Sequence, residues 1–393
     1  MRTLAALLLP ALACAQLAIR GGVVHTMAGP AIRDGVVLVR DGKIERVGPA
    51  SQVRIPTGYS TLNAEVVTPG LIDARTVIGL TGYLNQPHDQ EQVERSAAIQ
   101  PELRAIDAYN PRETLVGFVR ELGVTTIHTG HGPLALVSGQ TMIAKTRGNS
   151  PEKAVIAPEA MVAAALGDAG KAESGKSPGT RAKAVALLRA ELIKAREYAA
   201  NTKPDRPRDL RLETLAKVLS RERPLLIHAN RAYDILTALR LAREFNFKLV
   251  LDGAAEARQV IDALKSSGVP VILHPTMQRT GGETANLSRE TAATLDKAGI
   301  AFAIQSGFES YVPKTRVVLF EAAQAAANGL GMEGALRAVT IGAARILGID
   351  RRVGSLEPGK DADVALYDGD PFEYATHCTA VVIDGEIVSR DRR

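Results

Sequence analysis

Short apolar runs broken by glycine and aspartate open the chain, alternating apolar strands and amphipathic helices fill its middle, and short runs return at its end. Over residues 17–47 (LAIRGGVVHTMAGPAIRDGVVLVRDGKIERV) the breaks are Gly-Gly, Gly-Pro, Asp34-Gly35 and Asp41-Gly42. The last of these, between VVLVR and KIERV, is a strong two-residue hairpin signal. Residues 363–367, the turn Asp368-Gly369-Asp370-Pro371, and the runs flanking Asp384-Gly385 repeat the texture. Neither end holds enough strands to be stable alone, so both are expected in one small composite β-sandwich.

Between them, residues 225–229, 248–252, 270–274 and 300–304 are near-continuous apolar runs, as parallel strands buried on both faces should be. Helical periodicity over 233–245, 254–267 and 288–298 separates them. Further strands are expected at 66–73, 125–129, near 140–144 and at 161–166, with helices at 112–122 and 181–200. Eight strands in β/α alternation predict an α/β fold, a TIM (β/α)8 barrel. Helices at 315–329, 333–339 and 342–347 then close the barrel. The expected divisions are 1–15, 16–65 (first part of the sandwich), 66–350 (barrel) and 351–393 (the rest of the sandwich). Residues 167–180 (GDAGKAESGKSPGT) lack an apolar period and read as a mobile loop at the catalytic face.

Composition narrows the partners. With 393 residues, 46% of them apolar, the chain can bury a large core. Lys and Arg number 48 against 43 acids, dispersed and without a basic block, and there is no Trp, so nucleic-acid binding is not expected. Arg2, the apolar run 4–12 and Ala13-Cys14-Ala15 match a secretory signal peptide, with cleavage expected after Ala15. A lipid-anchored Cys14 is disfavoured because Ala11 stands where a large aliphatic residue is usual. Cleavage would leave Cys378 as the one thiol, so no internal disulfide can form. The mature chain is expected to be exported, periplasmic or secreted, and without a membrane anchor.

The stretch VVTPGLIDARTVIGL, residues 66–80, joins the two textures: a strand, a Thr-Pro-Gly turn, then a second apolar entry leading to Asp73 and Arg75. Together with VLVRDGKIERVG, LLIHANRAYDILTALRLAREF, AVTIGAARILGID and VGSLEPGKDADVALYDGDP, it resembles the amidohydrolase superfamily, nearest its imidazolonepropionase-like branch. The likeness runs from residue 17 to 388 and implies metal-assisted hydrolysis of non-peptide C–N bonds in small, often cyclic, amides.

The resemblance implies one or two divalent metals that ionise a bound water. The His-x-His of the first strand falls on Arg75 and Val77, neither of which can ligate. The fourth-strand carboxylate falls near Asp168, the fifth-strand His is present as His228, and the sixth falls on Asp252. The eighth-strand Asp, which also serves as general base, falls in Gln305-Ser306-Gly307, with Glu309 two residues beyond. Asn230 stands where a second His is found. No metal is therefore expected; if one binds, His228, Asp252 and Asp168 are its candidate ligands and zinc, iron or manganese its identity.

Three readings of the strand ends remain. His128, His131 and His274 could join His228, Asp252 and Asp168 in a rebuilt metal or acid–base site, or each could be a hydrogen-bonded residue at the barrel mouth. Alternatively, Arg75 pairs with Asp252 or Asp168 and replaces the metals electrostatically. The polar stretch 83–100, with His88, Asp89 and Glu91, reads as a solvated loop. The expectation for function is a relative of C–N hydrolases with degraded or altered catalysis. The alternative is a non-catalytic protein that binds a small anionic ligand through Arg75. Self-association into a homo-oligomer is also possible on an exterior of paired helices.

Overall fold

The computed structural model describes residues 16–84, 86–173, 175–308 and 317–393. The expected signal segment, residues 1–15, and Glu309 lie outside the described residues. Among the described residues, no helix is long and apolar enough to cross a membrane.

The first strands are β1 (Leu17–Val24), β2 (Ile32–Arg40), β3 (Lys43–Pro49) and β4 (Ser60–Pro69). The central ones are β5 (Leu71–Thr76), β6 (Val124–Thr129), β7 (Val137–Gln140), β8 (Met142–Lys145), β9 (Val155–Ala157) and β10 (Val162–Ala165). Then follow β11 (Leu225–Ala229), β12 (Leu249–Gly253), β13 (Val271–Leu273) and β14 (Phe302–Ile304), and finally β15 (Val364–Tyr367), β16 (Cys378–Ile383) and β17 (Glu386–Ser389).

Both chain ends do meet, in one seven-stranded sheet of order β17-β16-β15-β4-β1-β2-β3. The expected sandwich of two stacked sheets is instead a single sheet that curls. Its outer hairpin turns come together, since Gly42 O accepts from Ala362 N at 2.9 Å and Ala362 O from Gly385 N at 3.1 Å. A Cβ on Gly42 would stand 2.9 Å from Asp384 O, so the approach requires glycine. Ile19, Val37, Val39, Val67, Val364, Leu366 and Val382 fill the fold of this sheet.

The middle of the chain is α/β, but no continuous hydrogen-bonded ladder closes it into a barrel. Two sheets, β14-β13-β12-β11-β10-β7 and β5-β6-β8-β9, meet at two seams. At one, Gly307 N donates to Arg75 O at 3.0 Å; at the other, Thr141 N donates to Met161 O at 2.9 Å. The expected third parallel strand is broken at Thr141 into β7, antiparallel to β10, and β8, antiparallel to β6. Residues 130–141, with β7 inside them, lead from β6 to its antiparallel partner β8 and contain no helix.

Ile72, Ile143, Met161, Leu226, Val250, Ile272 and Ala303, drawn from both sheets, pack into one interior cluster. Truncating Leu226 or Ile272 there to Ala should cost about 2–5 kcal/mol. The helix Ile341–Leu347 adds Ala343, Ala344 and Leu347 to the same cluster and closes its lower end. The expected helix over 254–267 starts as a tighter turn, Ala257–Val260, before Ile261–Ser267. Of the one expected over 315–329, Val318–Ala325 is helical and its first residues lie outside the described ones. A helix at Leu210–Leu219, which the sequence reading passed over, is capped by Asp209 accepting from Arg211 N and Leu212 N.

Candidate functional site

Side chains alternate across a strand, so the residue two beyond an interior apolar position also points inward. Leu226 is followed by His228, Val250 by Asp252, Ile272 by His274 and Ala303 by Gln305, and this second layer forms the polar floor of a cavity of about 20 Å³. Arg75, Val77, Gln278 and Phe308 complete its walls.

His228 and Asp252 are partners in the parallel register of β11 and β12. Their contact follows from it: His228 Nδ1 lies 3.0 Å from Asp252 Oδ2. Asp252 Oδ1 accepts from Gln305 Nε2 at 2.6 Å, which also donates to Ile272 O at 3.0 Å. On the other side of the ring, Asn230 Nδ2 lies 3.0 Å from His228 Nε2. Ala255 N donates to Asn230 Oδ1 at 3.3 Å, which fixes that amide's orientation and leaves its NH2 toward the ring. His228 therefore donates from Nδ1 and accepts at Nε2, and both nitrogens are engaged. Burial pushes the Asp252 carboxyl up, yet His228, Arg75 and Gln305 together hold it below the ordinary value.

Arg75 corrects the expected ion pair. Its side chain is buried, and Nη1 donates to the carbonyls of Thr76 at 2.8 Å and Gly130 at 3.0 Å, Nη2 to that of His131. It forms no ion pair with any described carboxylate, Asp252 and Asp168 included; Asp252 acts on it only through its field. Burial lowers the guanidinium's pKa, and the charges of Asp252 and Asp73 oppose that.

Asp73, which the sequence reading left without a role, holds the seam between β5 and β14. Its carboxylate accepts from Ser306 N at 3.0 Å and from Arg75 N at 3.4 Å, and is bonded to Ser306 Oγ. Burial raises its pKa to about 7. An acid directly after the apolar pair Leu71-Ile72, on a strand buried throughout, was the available signal.

The other candidates separate. His128 is a satisfied buried histidine, with Nδ1 2.7 Å from Ala74 O and Nε2 2.7 Å from Thr141 Oγ1; burial and then Arg75 push its pKa down to about 3. His131 gives Arg75 its carbonyl, not its ring, and burial with Arg75's charge lowers it to about 4. His274 lines the cavity and is lowered to about 4 by burial. Asp168 is not part of the site: its side chain is 60% exposed, 2.6 Å from Lys171 Nζ and 3.4 Å from Arg181. Arg181 ties it to Asp234 and Glu283, whose carboxylates are largely buried. His88 and Asp89 pair with each other at 3.5 Å on the exposed loop.

These residues do not fit a divalent metal. Both nitrogens of His228 and both oxygens of Asp252 are engaged within the protein, and Arg75 brings a cation to the same cavity. Among the described residues, no three His, Cys, Asp or Glu converge as a ligand set.

An α/β core whose polar layer sits at the strand ends, joined to a sheet built from both termini, defines the class of protein. The sequence profile described as the Amidohydrolase family matches residues 80–389, and the chain belongs to that family. It resembles the amidohydrolase tasK of Hapsidospora irregularis (25% identity over 89% of this chain) but spans only 39% of that protein's length. The imidazolonepropionase of Maricaulis maris is 26% identical over 84% of this chain and 86% of its own. The solved structure of an amidohydrolase from Thermotoga maritima superposes with a TM-score of 0.89 at 29% identity, covering 95% of this chain and all of that one. These likenesses place the chain in the superfamily's imidazolonepropionase-like branch.

Proposed function

We propose that this protein descends from hydrolases of non-peptide C–N bonds and no longer follows their metal-assisted route, so that any turnover it retains is altered. One observation carries the reading. Arg75 occupies the strand end where the resemblance puts a ligating His, and its guanidinium is locked by three backbone carbonyls beside a His228–Asp252 pair with no free donor atom. The alternative of anion capture by Arg75 loses support from the same bonds, because a bidentate clamp needs the Nη edge that Thr76, Gly130 and His131 already use.

We propose likewise that the two central sheets form a barrel interrupted at their two seams, and that the chain is exported and acts on a small molecule. Elemental analysis of purified protein, with turnover of a panel of cyclic amides before and after zinc addition, tests it. The expected result is less than stoichiometric metal and no gain with zinc. Stoichiometric zinc, iron or manganese would overturn it.

A further inference from the structure

Among the described residues, two side chains that line the cavity each keep one buried polar atom without a protein partner. Arg75 and His274 line it from β5 and from the end of β13, are 4% and 1% exposed, and leave Arg75 Nε and His274 Nε2 unpaired. Their characters are opposite. Arg75 Nε carries a proton and can only donate. His274 Nδ1 lies 3.2 Å from Pro275 O, which can only accept, so the ring proton sits on Nδ1 and Nε2 offers a lone pair. A buried unsatisfied group costs about 1–3 kcal/mol, so a donor and an acceptor left unpaired on two residues that line one cavity mark a place to be filled. About 20 Å³ is room for one water-sized group.

We propose that this cavity is a binding site for one uncharged group that accepts from Arg75 Nε and donates to His274 Nε2: a water in the resting protein, and the hydroxyl or primary carboxamide of a ligand that replaces it. The chemistry excludes the other classes. A carboxylate has no proton for His274, an ammonium has no lone pair for Arg75, and a divalent cation would meet a fixed guanidinium and a single free lone pair. The inference rests on the metal-free reading above and gives that site its ligand class.

Crystals soaked in formamide, formate or methylammonium, three probes of nearly equal size, test it together with 15N NMR of His274. The expected result is a water bonded to both Arg75 Nε and His274 Nε2 in the unsoaked crystal, displaced by formamide alone, with the His274 proton on Nδ1. Forfeiting one bond to a buried partner is worth a factor of about ten or more in affinity, so titration should rank formamide that far above formate. His274→Leu, which removes the acceptor, should erase the ranking while the chain stays folded by circular dichroism. His274→Gln, which restores an acceptor, should recover part of it. Formate binding as well as formamide, or a His274 proton on Nε2, would overturn the inference and leave the metal-free reading standing. An anomalous metal peak in the cavity would overturn both.

Discussion

Arg75 is a cation solvated by peptide dipoles instead of by an acid, which makes it structural as well as electrostatic. Arg75→Met should strand three carbonyls and lower stability by about 2–4 kcal/mol, the lost bonds being offset in part by relief of a buried charge. Urea unfolding measures this, and a variant as stable as the wild type would sink the assignment. The buried histidines set the acid response. His128, His131 and His274, at about 3, 4 and 4, bind a proton more weakly folded than unfolded, where 6.5 applies. Their contribution is intact above about pH 6.5 and is lost as pH falls, at roughly 2 kcal/mol each between about pH 7 and 5. Asp73 and Asp363, raised by burial to about 7 and about 6, work in the opposite sense, since the folded state keeps protons there that the unfolded chain releases. They return roughly 2 and 1 kcal/mol over the same interval, about half of what the three histidines lose, so a net loss of roughly 3 kcal/mol remains. Asp73→Asn removes one offset, and the stability drop between pH 7 and 5 should deepen by roughly 2 kcal/mol in denaturation series at the two pH values. Little of this was visible in residue types. Arg75's partners are carbonyls, which every residue carries, so the sequence pointed to Asp252 and Asp168 instead. Asp168's fate was legible, because Lys171 three residues on draws it to the surface.

Among elements, the join between β4 and β5 is a single residue, Gly70. A Cβ there would lie 2.2 Å from Thr125 Oγ1 and 2.3 Å from its Cγ2 on β6, so the side chain of Thr125 takes the space that any other residue would need. Gly70→Ala should cost about 1–3 kcal/mol by overpacking, and adding Thr125→Ala should recover most of it; thermal unfolding of the two variants checks the coupling. The period-2 pattern made most of this layer readable: interior apolar residues at 226, 250 and 272 put 228, 252 and 274 on the cavity floor without any structure. Strand direction was not readable from the apolar run near 140–144, which looks the same in either sense. Only the structure shows the break at Thr141, where β7 turns to pair with β10 and β8 with β6.

Across the whole molecule, the central sheets are tied to the terminal one by a buried cation. Lys145 on β8 bonds Asp361 at 2.8 Å, Asp363 at 3.0 Å and Asp384; burial lowers its pKa, and the three aspartates outweigh that. Lys145→Met leaves the buried Asp363 without a cation, while Asp361 keeps Lys43 and Arg352 and Asp384 keeps Arg147, and about 3 kcal/mol should be lost near neutral pH, less at about pH 4–5 where Asp363 can take a proton. Equal losses at both pH values in chemical denaturation would contradict this account. The terminal sheet also has a consequence in time. β4 pairs with β1 on one edge and with β15 on the other, and the entire middle of the chain is synthesised between them. Until residues 364–367 leave the ribosome, β4 presents a bare edge of unpaired peptide groups and β-branched side chains, a template on which a neighbouring nascent chain can add. A chain stalled or cut before β15 is thus its most aggregation-prone form, however stable the finished fold.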